Sequence, residues 1–313
     1  MTTYTHRPYS NAADLQTMID LTTQRPSAQI TAFPSMIDLQ EMLGTAVYRN
    51  HTHLWHNQQG QLVGFAILDI YDDAANLIFD VAAAAQGQLE TEMLNWGTAV
   101  LQPTPIALNI NARSDDASRI AWLNAHGFTQ QPGGSVIMTR PLAAAIPAAQ
   151  LPAGFTLRHL AGESEVNDWV ALHRAAWGTE NMTAAYRLSM IDTPDYDPAL
   201  DLLAVAPDGT LAAYCVCTIS RAENKLSGQQ VGYTDPIATH PRWQRQGVAR
   251  ALMLHGLRLL RERGMTTAQL STSLENVAMQ ATAISVGFQI ASRAFTFSRP
   301  LLSPVHVKGQ THV

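Results

Sequence analysis

The feature that most constrains this 313-residue chain is that it repeats itself. Tyr4-Thr5-His6-Arg7 matches Phe155-Thr156-Leu157-Arg158, and the turn and apolar strand Gln59–Phe65 match Asp208–Tyr214. Gly127-Phe128 matches Gly287-Phe288, and Arg140-Pro141-Leu142 matches Arg299-Pro300-Leu301. The offset grows from about 150 to about 160 residues, which places roughly ten extra residues in the second half, at Ser220–Gln230. An Ala/Pro-rich linker, AAAIPAAQLPAG, joins the halves at 143–154. A tandem duplication follows, with a first domain at 1–142, a second at 155–301 and a tail at 302–313. Each half is long enough to bury its own core, and a composition of 46% apolar and 14% charged residues suits folded domains.

The stretch Gly232–Gly264 reads as a short strand, a polar turn and a long helix. The turn is Gln244-Arg245-Gln246-Gly247-Val248-Ala249, followed by Arg250. A glycine at 247 lets backbone approach a ligand closely, and the unpaired amides of a helix start favour an anion. The pattern is neither a P-loop nor a dinucleotide fingerprint, because no Gly-Lys-Ser/Thr follows and the turn holds one glycine. It predicts a cradle for a phosphate or pyrophosphate. The helix is predicted over 246–263, apolar around most of its circumference and closed by Arg258, Arg261, Arg263 and Gly264. A strand at 268–274, Asn276, and Gly287-Phe288 eleven residues later complete the series.

This order of strand, Q-x-x-G-x-A turn, helix, strand, Asn, helix, Gly-Phe and strand resembles the GNAT acetyltransferase superfamily over 155–301. The resemblance implies an α/β fold with a mixed sheet, here as two tandem GNAT domains of the kind found in mycothiol synthase-like acetyltransferases. It also implies acetyl-CoA as co-substrate, with Ile237, Ala238 and Thr239 along the pantetheine arm. Gln244, Arg245, Gln246, Gly247, Val248, Ala249 and Arg250 would hold the pyrophosphate, and Asn276 would lie near the coenzyme. As a residue, Asn276 reads equally well as a helix N-cap.

The first half departs from the pattern. Gly87 stands for Gly247, but Ala84 and Ala85 replace Gln244 and Arg245, Leu89 replaces Ala249, Glu90 replaces Arg250, and Asp116 replaces Asn276. A carboxylate at the mouth of an anion site opposes a pyrophosphate. This half is expected to be a degenerate scaffold that binds no coenzyme.

Other classes recede. A net charge of −5 with no basic run leaves no footprint for nucleic acid. The N-terminus lacks the apolar core of a signal peptide and no apolar run is long enough to span a bilayer, so a soluble cytoplasmic protein is expected. Cys215 and Cys217 share a strand face and read as packing residues. His51, His53 and His56 read as a partly exposed edge strand rather than a metal site, and no metal is expected.

For the chemistry, an amine must lose a proton before it attacks, and Asp235 is placed to take it, with Tyr233 in reserve on the same strand face. The irregular stretch 178–198, with Asp192, Asp195, Asp197, Tyr186 and Tyr196, and Trp177 at its start, is expected to line the acceptor site for a cation. Many family members carry a tyrosine where this chain has Ala283, which removes the usual proton donor to the leaving thiolate. The expected function is therefore transfer of an acetyl group from acetyl-CoA to a primary amine of a small acceptor, in the second half. The alternative is a non-catalytic acyl-CoA or small-molecule binding protein that keeps the fold. The working unit is expected to be a monomer whose halves form a pseudo-dimer, or a homodimer.

Overall fold

The computed structural model describes residues 3–25, 29, 33–102 and 104–301, so the expected tail at 302–313 lies outside the described residues. The first stretch of chain runs β1 (Thr5–Pro8), α1 (Ala12–Thr22), α2 (Met36–Leu43), α3 (Ala46–Asn50), β2 (Thr52–His56), β3 (Leu62–Ile70) and β4 (Ala74–Val81). It continues through α4 (Gln88–Leu101), β5 (Ala107–Arg113), α5 (Ala117–Ala125) and β6 (Thr129–Pro141). The second runs β7 (Thr156–His159), α6 (Val166–Trp177), α7 (Ala184–Ile191), β8 (Asp201–Val205), β9 (Leu211–Val216) and α8 (Arg221–Ser227). It ends with β10 (Val231–Tyr233), β11 (Ile237–Thr239), α9 (Val248–Glu262), β12 (Thr267–Ser273), α10 (Val277–Ser285) and β13 (Gln289–Pro300).

Packing divides these elements into two compact units that cut across the chain order. Among the described residues, one holds those up to 21, those of 47–134 and those of 294–301; the other holds those of 22–46 and 135–293. This differs from the boundary expected at the linker, and the reason lies in the repeated strands. In the first unit, residues 294–300 of β13 pair antiparallel with β5 of the first half. In the second, residues 135–141 of β6 pair antiparallel with β12 of the second half. Each half of the sequence has given the end of its last strand to the other unit.

The duplication is visible in side-chain detail. Arg7 grips Asp14 through two hydrogen bonds, of 2.8 and 2.5 Å, and Arg158 grips Glu165 through two of 2.7 and 2.6 Å. In both, the carboxylate also accepts a backbone N–H, from Ser10 and from Ala161. Asp116 caps α5 by accepting the Arg119 N–H, and Asn276 caps α10 by accepting that of Met279.

In the first unit the strand order is β1, β2, β3, β4, β5 and then β13, antiparallel except for β4 with β5. The edge reading for the histidines is corrected here: β2 lies between β1 and β3, and it includes His53 and His56 but not His51. Among the described residues, no group of three or more His, Cys, Asp or Glu stands where it would hold a metal ion.

The second unit is built on a sheet ordered β7, β8, β9, β11, with α9 against one face and α6 and α7 against the other. Alternation along β9 assigns the faces: Ala213 and Cys215 face α9, while Tyr214 and Val216 face α6. Cys215 and Cys217 are buried, unbridged packing residues, as the sequence implies. Gly256 brings α9 down onto β9, since a Cβ there would stand 2.5 Å from the Cys217 sulfur. The chain at 178–198, read as irregular, instead forms α7, started by the Thr183 hydroxyl accepting the Tyr186 N–H. No helix among the described residues is long and apolar enough to cross a membrane.

Candidate active site

The strand leading to the turn at 244–250 is broken in two. Its first part, β10, pairs parallel with β12, and its second part, β11, pairs antiparallel with β9. The chain crosses between them at Thr234-Asp235-Pro236, so the two sheets part at this point. Among the described residues, β11 has a neighbour on one side only. Pro236 accepts from the Val216 N–H and His240 donates to the Ala212 carbonyl, so the even-numbered residues bond to β9. Ile237 and Thr239 therefore turn their backbone groups to the open edge. The Gln244 side-chain amide donates to the Thr239 carbonyl at 3.2 Å and ties the turn to this strand.

Within the turn, Arg245 has φ +59° and Gly247 φ +83°, two left-handed residues that curl the backbone into a nest of N–H groups. The N–H of Ala251 is the first to find a helical partner, the Gly247 carbonyl. Among the described residues, none accepts from the amides of 245–250. A Cβ built on Gly247 has nothing within 4 Å, so the space above the nest is open. Arg245, Gln246 and Arg250 are exposed around it, while Val248 is 1% exposed and anchors the helix start in the core. Neither arginine is ion-paired with a described residue. The fit to a pyrophosphate is good: free amides, a helix N-terminus and two unspent guanidinium groups. Asn276 is seen here as the cap of α10.

Asp235 sits at the crossing itself. Its Oδ2 accepts the Ser271 N–H at 2.9 Å, and its Oδ1 is shut away from solvent with no partner. Burial pushes the carboxyl up to about 7, with Asp38 adding like-charge repulsion and the Ser271 hydrogen bond opposing the rise. Tyr233, the reserve candidate, donates its hydroxyl to Glu223 Oε2 at 2.9 Å, and burial followed by the Glu223 charge raises it well above the ordinary phenol range. It is a poor base at neutral pH.

Three carboxylates near Asp235 escaped the sequence reading. Glu223 belongs to α8, in the segment that the second half has in excess, and its Oε1 accepts the Met36 N–H at 2.9 Å. Asp38 and Glu41 belong to α2, from the first half of the chain but packed in this unit. Burial raises Glu41 to about 8 and Glu223 to about 7, and each is raised further by the Asp38 charge. The only signal for α2 was its capping box: Ser35 accepts from the Asp38 N–H, and Asp38 accepts from that of Ser35.

The three aromatic residues assigned to the acceptor wall have different surroundings. Trp177 is 54% exposed and donates its indole N–H to the Tyr214 hydroxyl at 2.9 Å, which in turn donates to His173 Nδ1 at 2.7 Å. Burial lowers His173 to about 4, with the Arg187 charge adding to the effect, so the imidazole is neutral. Tyr186 packs against the core shared by α6, α7 and β9. Tyr196 donates to Asp201, whose carboxylate is bound by the buried Arg187. Asp197 is taken by Arg263, and Asp192 ends α7. The acidic groups that act on one another around Asp235 are thus Asp38, Glu41 and Glu223, while Asp197 is spent on Arg263.

Residues 166–288 match the Acetyltransferase (GNAT) family. A mycothiol acetyltransferase of Salinispora arenicola is 27% identical over 247 residues, covering 77% of this chain and 78% of that protein. Among solved structures, a GCN5-related N-acetyltransferase from Sphaerobacter thermophilus superposes with a TM-score of 0.68 at 18% identity, over 96% of each chain. A tandem GNAT protein from the clavulanic acid biosynthesis pathway superposes with a TM-score of 0.69 at 15% identity, over 96% of this chain and 99% of that one. These superpositions show a shared fold, and the family match falls on the residues that build the turn, the split strand and Asp235. Residues 166–288 are thus a match to the GNAT acetyltransferase family, and with the mycothiol acetyltransferase relative they support an acyltransferase.

Proposed function

We propose that this protein transfers an acetyl group from acetyl-CoA to a primary amine of a small acceptor, by direct attack within the second unit. The observation that carries the reading is the nest of free amides at 245–250 beside the open edge of β11, with Asp235 at the parting of the sheets. Acetyl-CoA, when bound, supplies an activated acyl group whose thiolate can leave.

The chain's own residues supply the rest. The amides from Arg245 to Arg250, with the two guanidinium groups, would hold the pyrophosphate. Ile237 and Thr239 offer backbone groups to an extended arm, as a sheet edge does for an added strand. Holding both reactants in register removes much of the entropic barrier. Asp235 takes the proton from the acceptor ammonium; a carboxyl raised to about 7 is half ionised at neutral pH and strong enough as a base to be useful. Nothing at position 283 donates to the thiolate, since Ala283 is 0% exposed and carries no polar atom. Proton return therefore falls to solvent.

Ala283 is also the observation that favours a second reading, an acyl-CoA binding protein without turnover. The two separate in a thiol-release assay with acetyl-CoA and a panel of small amines, including mycothiol-related amines, which the name of the Salinispora arenicola relative brings into the panel. Acetyl-CoA-dependent release that is lost in Asp235→Asn supports the enzyme. Tight acetyl-CoA binding with no release for any amine supports the binder.

A further inference from the structure

On the α6 face of the second unit's sheet, side chains stack into a column. The Arg187 guanidinium lies 4.2 Å over the Trp169 ring, Trp169 stacks on His173 at 5.4 Å and 27°, and His173 stacks on Trp177 at 5.5 Å and 14°. Trp169 is 0% exposed and Trp177 is 54% exposed, so the column runs from the core out to solvent.

Hydrogen bonds fix where the outermost ring stands. An indole N–H can only donate, so the Tyr214 oxygen accepts from Trp177 at 2.9 Å and the Tyr214 proton goes to His173 Nδ1 at 2.7 Å. His173 then carries its own proton on Nε2. The residue that holds Trp177, Tyr214, is itself 0% exposed and packed against Trp169 at 4.4 Å. Holding a large apolar ring still while half of it meets water costs conformational entropy and gains little burial. A ligand ring stacked on it would offset that cost.

The column also lies within reach of the base. Tyr214 pairs with Ala238 of β11, three residues past Asp235, so a molecule reaching from Asp235 to Trp177 spans roughly 10 Å. A cation has little to gain at this end: the column already has a guanidinium at its base, and His173 beside Trp177 offers a proton rather than a negative charge. A flat, uncharged ring extends the stack in the offset or tilted geometry that aromatic pairs favour.

We propose that Trp177 selects the acceptor by stacking an uncharged aromatic ring carried at the end of the molecule remote from the amine, with Tyr214 and His173 as the residues that position it. Which end of the acceptor reacts rests on the acetyl-transfer reading; the stacking of its ring does not.

The test is calorimetric titration of the full chain with 4-phenylbutylamine and with butylamine, each with and without coenzyme A, alongside tryptophan fluorescence. The phenyl compound is expected to bind roughly tenfold or more tightly and to change the tryptophan emission. Trp177→Leu, at an exposed position, should fold, lose that change in emission and bring the ratio of the two affinities close to one. Tyr214→Phe, which keeps the buried ring and removes the hydroxyl, should lower the same ratio; a merely structural hydroxyl would alter stability and leave the ratio as it was. Equal affinity for the two amines, no binding of 4-phenylbutylamine under either condition, or an unchanged ratio in Trp177→Leu would overturn the proposal. So would tighter binding of glucosamine, or of butylamine bearing a terminal trimethylammonium, than of the phenyl compound. A ring preference lost in Trp177→Leu, with no acetyl transfer to any amine, would leave this inference standing and remove the acetyl-transfer reading.

Discussion

The Glu90 carboxylate accepts the Gly87 N–H at 2.6 Å, and so occupies in the first half the position that stays open above Gly247 in the second. Both glycines take a positive φ before a helix, +87° and +83°. One half has turned the nest inward and satisfied it with its own anion. Glu90→Ala should lower stability by about 1 kcal/mol, the usual worth of a helix cap, read from urea unfolding. It should not create a coenzyme site, because no arginines stand at 85 and 90.

Asp235→Asn should lower kcat/KM on the order of a hundredfold, the scale of a lost general base. In the wild type the rate should rise as pH passes through about 7, where the carboxyl loses its proton. That limb should vanish in the variant while acetyl-CoA affinity stays within about threefold. A pH–rate profile of both proteins checks this.

Glu223 is raised to about 7 in the fold, above its ordinary value, so the native state holds a proton that the unfolded chain releases. Stability should therefore fall as pH rises from about 5 to about 7 and level off above that. Glu223→Gln keeps an acceptor for the Met36 N–H and should flatten the fall. Urea midpoints across that pH range measure the difference.

Arg187 and Asp201 are both 0% exposed, paired with each other, with Arg187 lying 4.2 Å over the Trp169 ring. Removing one partner leaves the other charged and buried. Asp201→Ala should cost about 3–5 kcal/mol, and a paired apolar replacement of Arg187 and Asp201 should recover part of it. A double-variant cycle by urea unfolding decides the point.

Much of this was legible in the chain because it is local. The anion turn and α9 are written in consecutive residues, and the predicted helix at 246–263 is observed at 248–262. The exchange of β6 and β13 was not legible, because Arg140-Pro141-Leu142 and Arg299-Pro300-Leu301 are the same strand end twice and either would suit either sheet. Glu41 and Asp38 were missed for a related reason. They lie in the first half of the sequence, and nothing local to α2 says that it packs beside residues almost two hundred positions away. The α7 helix was missed because its eight residues carry no charge pattern beyond a Thr183 cap.

The central claim is a single coenzyme site, built on Gly247. Titrating the full chain with acetyl-CoA in a calorimeter, beside Gly247→Glu, tests it most directly. The account predicts about one site per chain in the wild type and loss of binding in a variant that still unfolds cooperatively. Two sites per chain, no binding by the wild type, or undiminished binding by Gly247→Glu would contradict it.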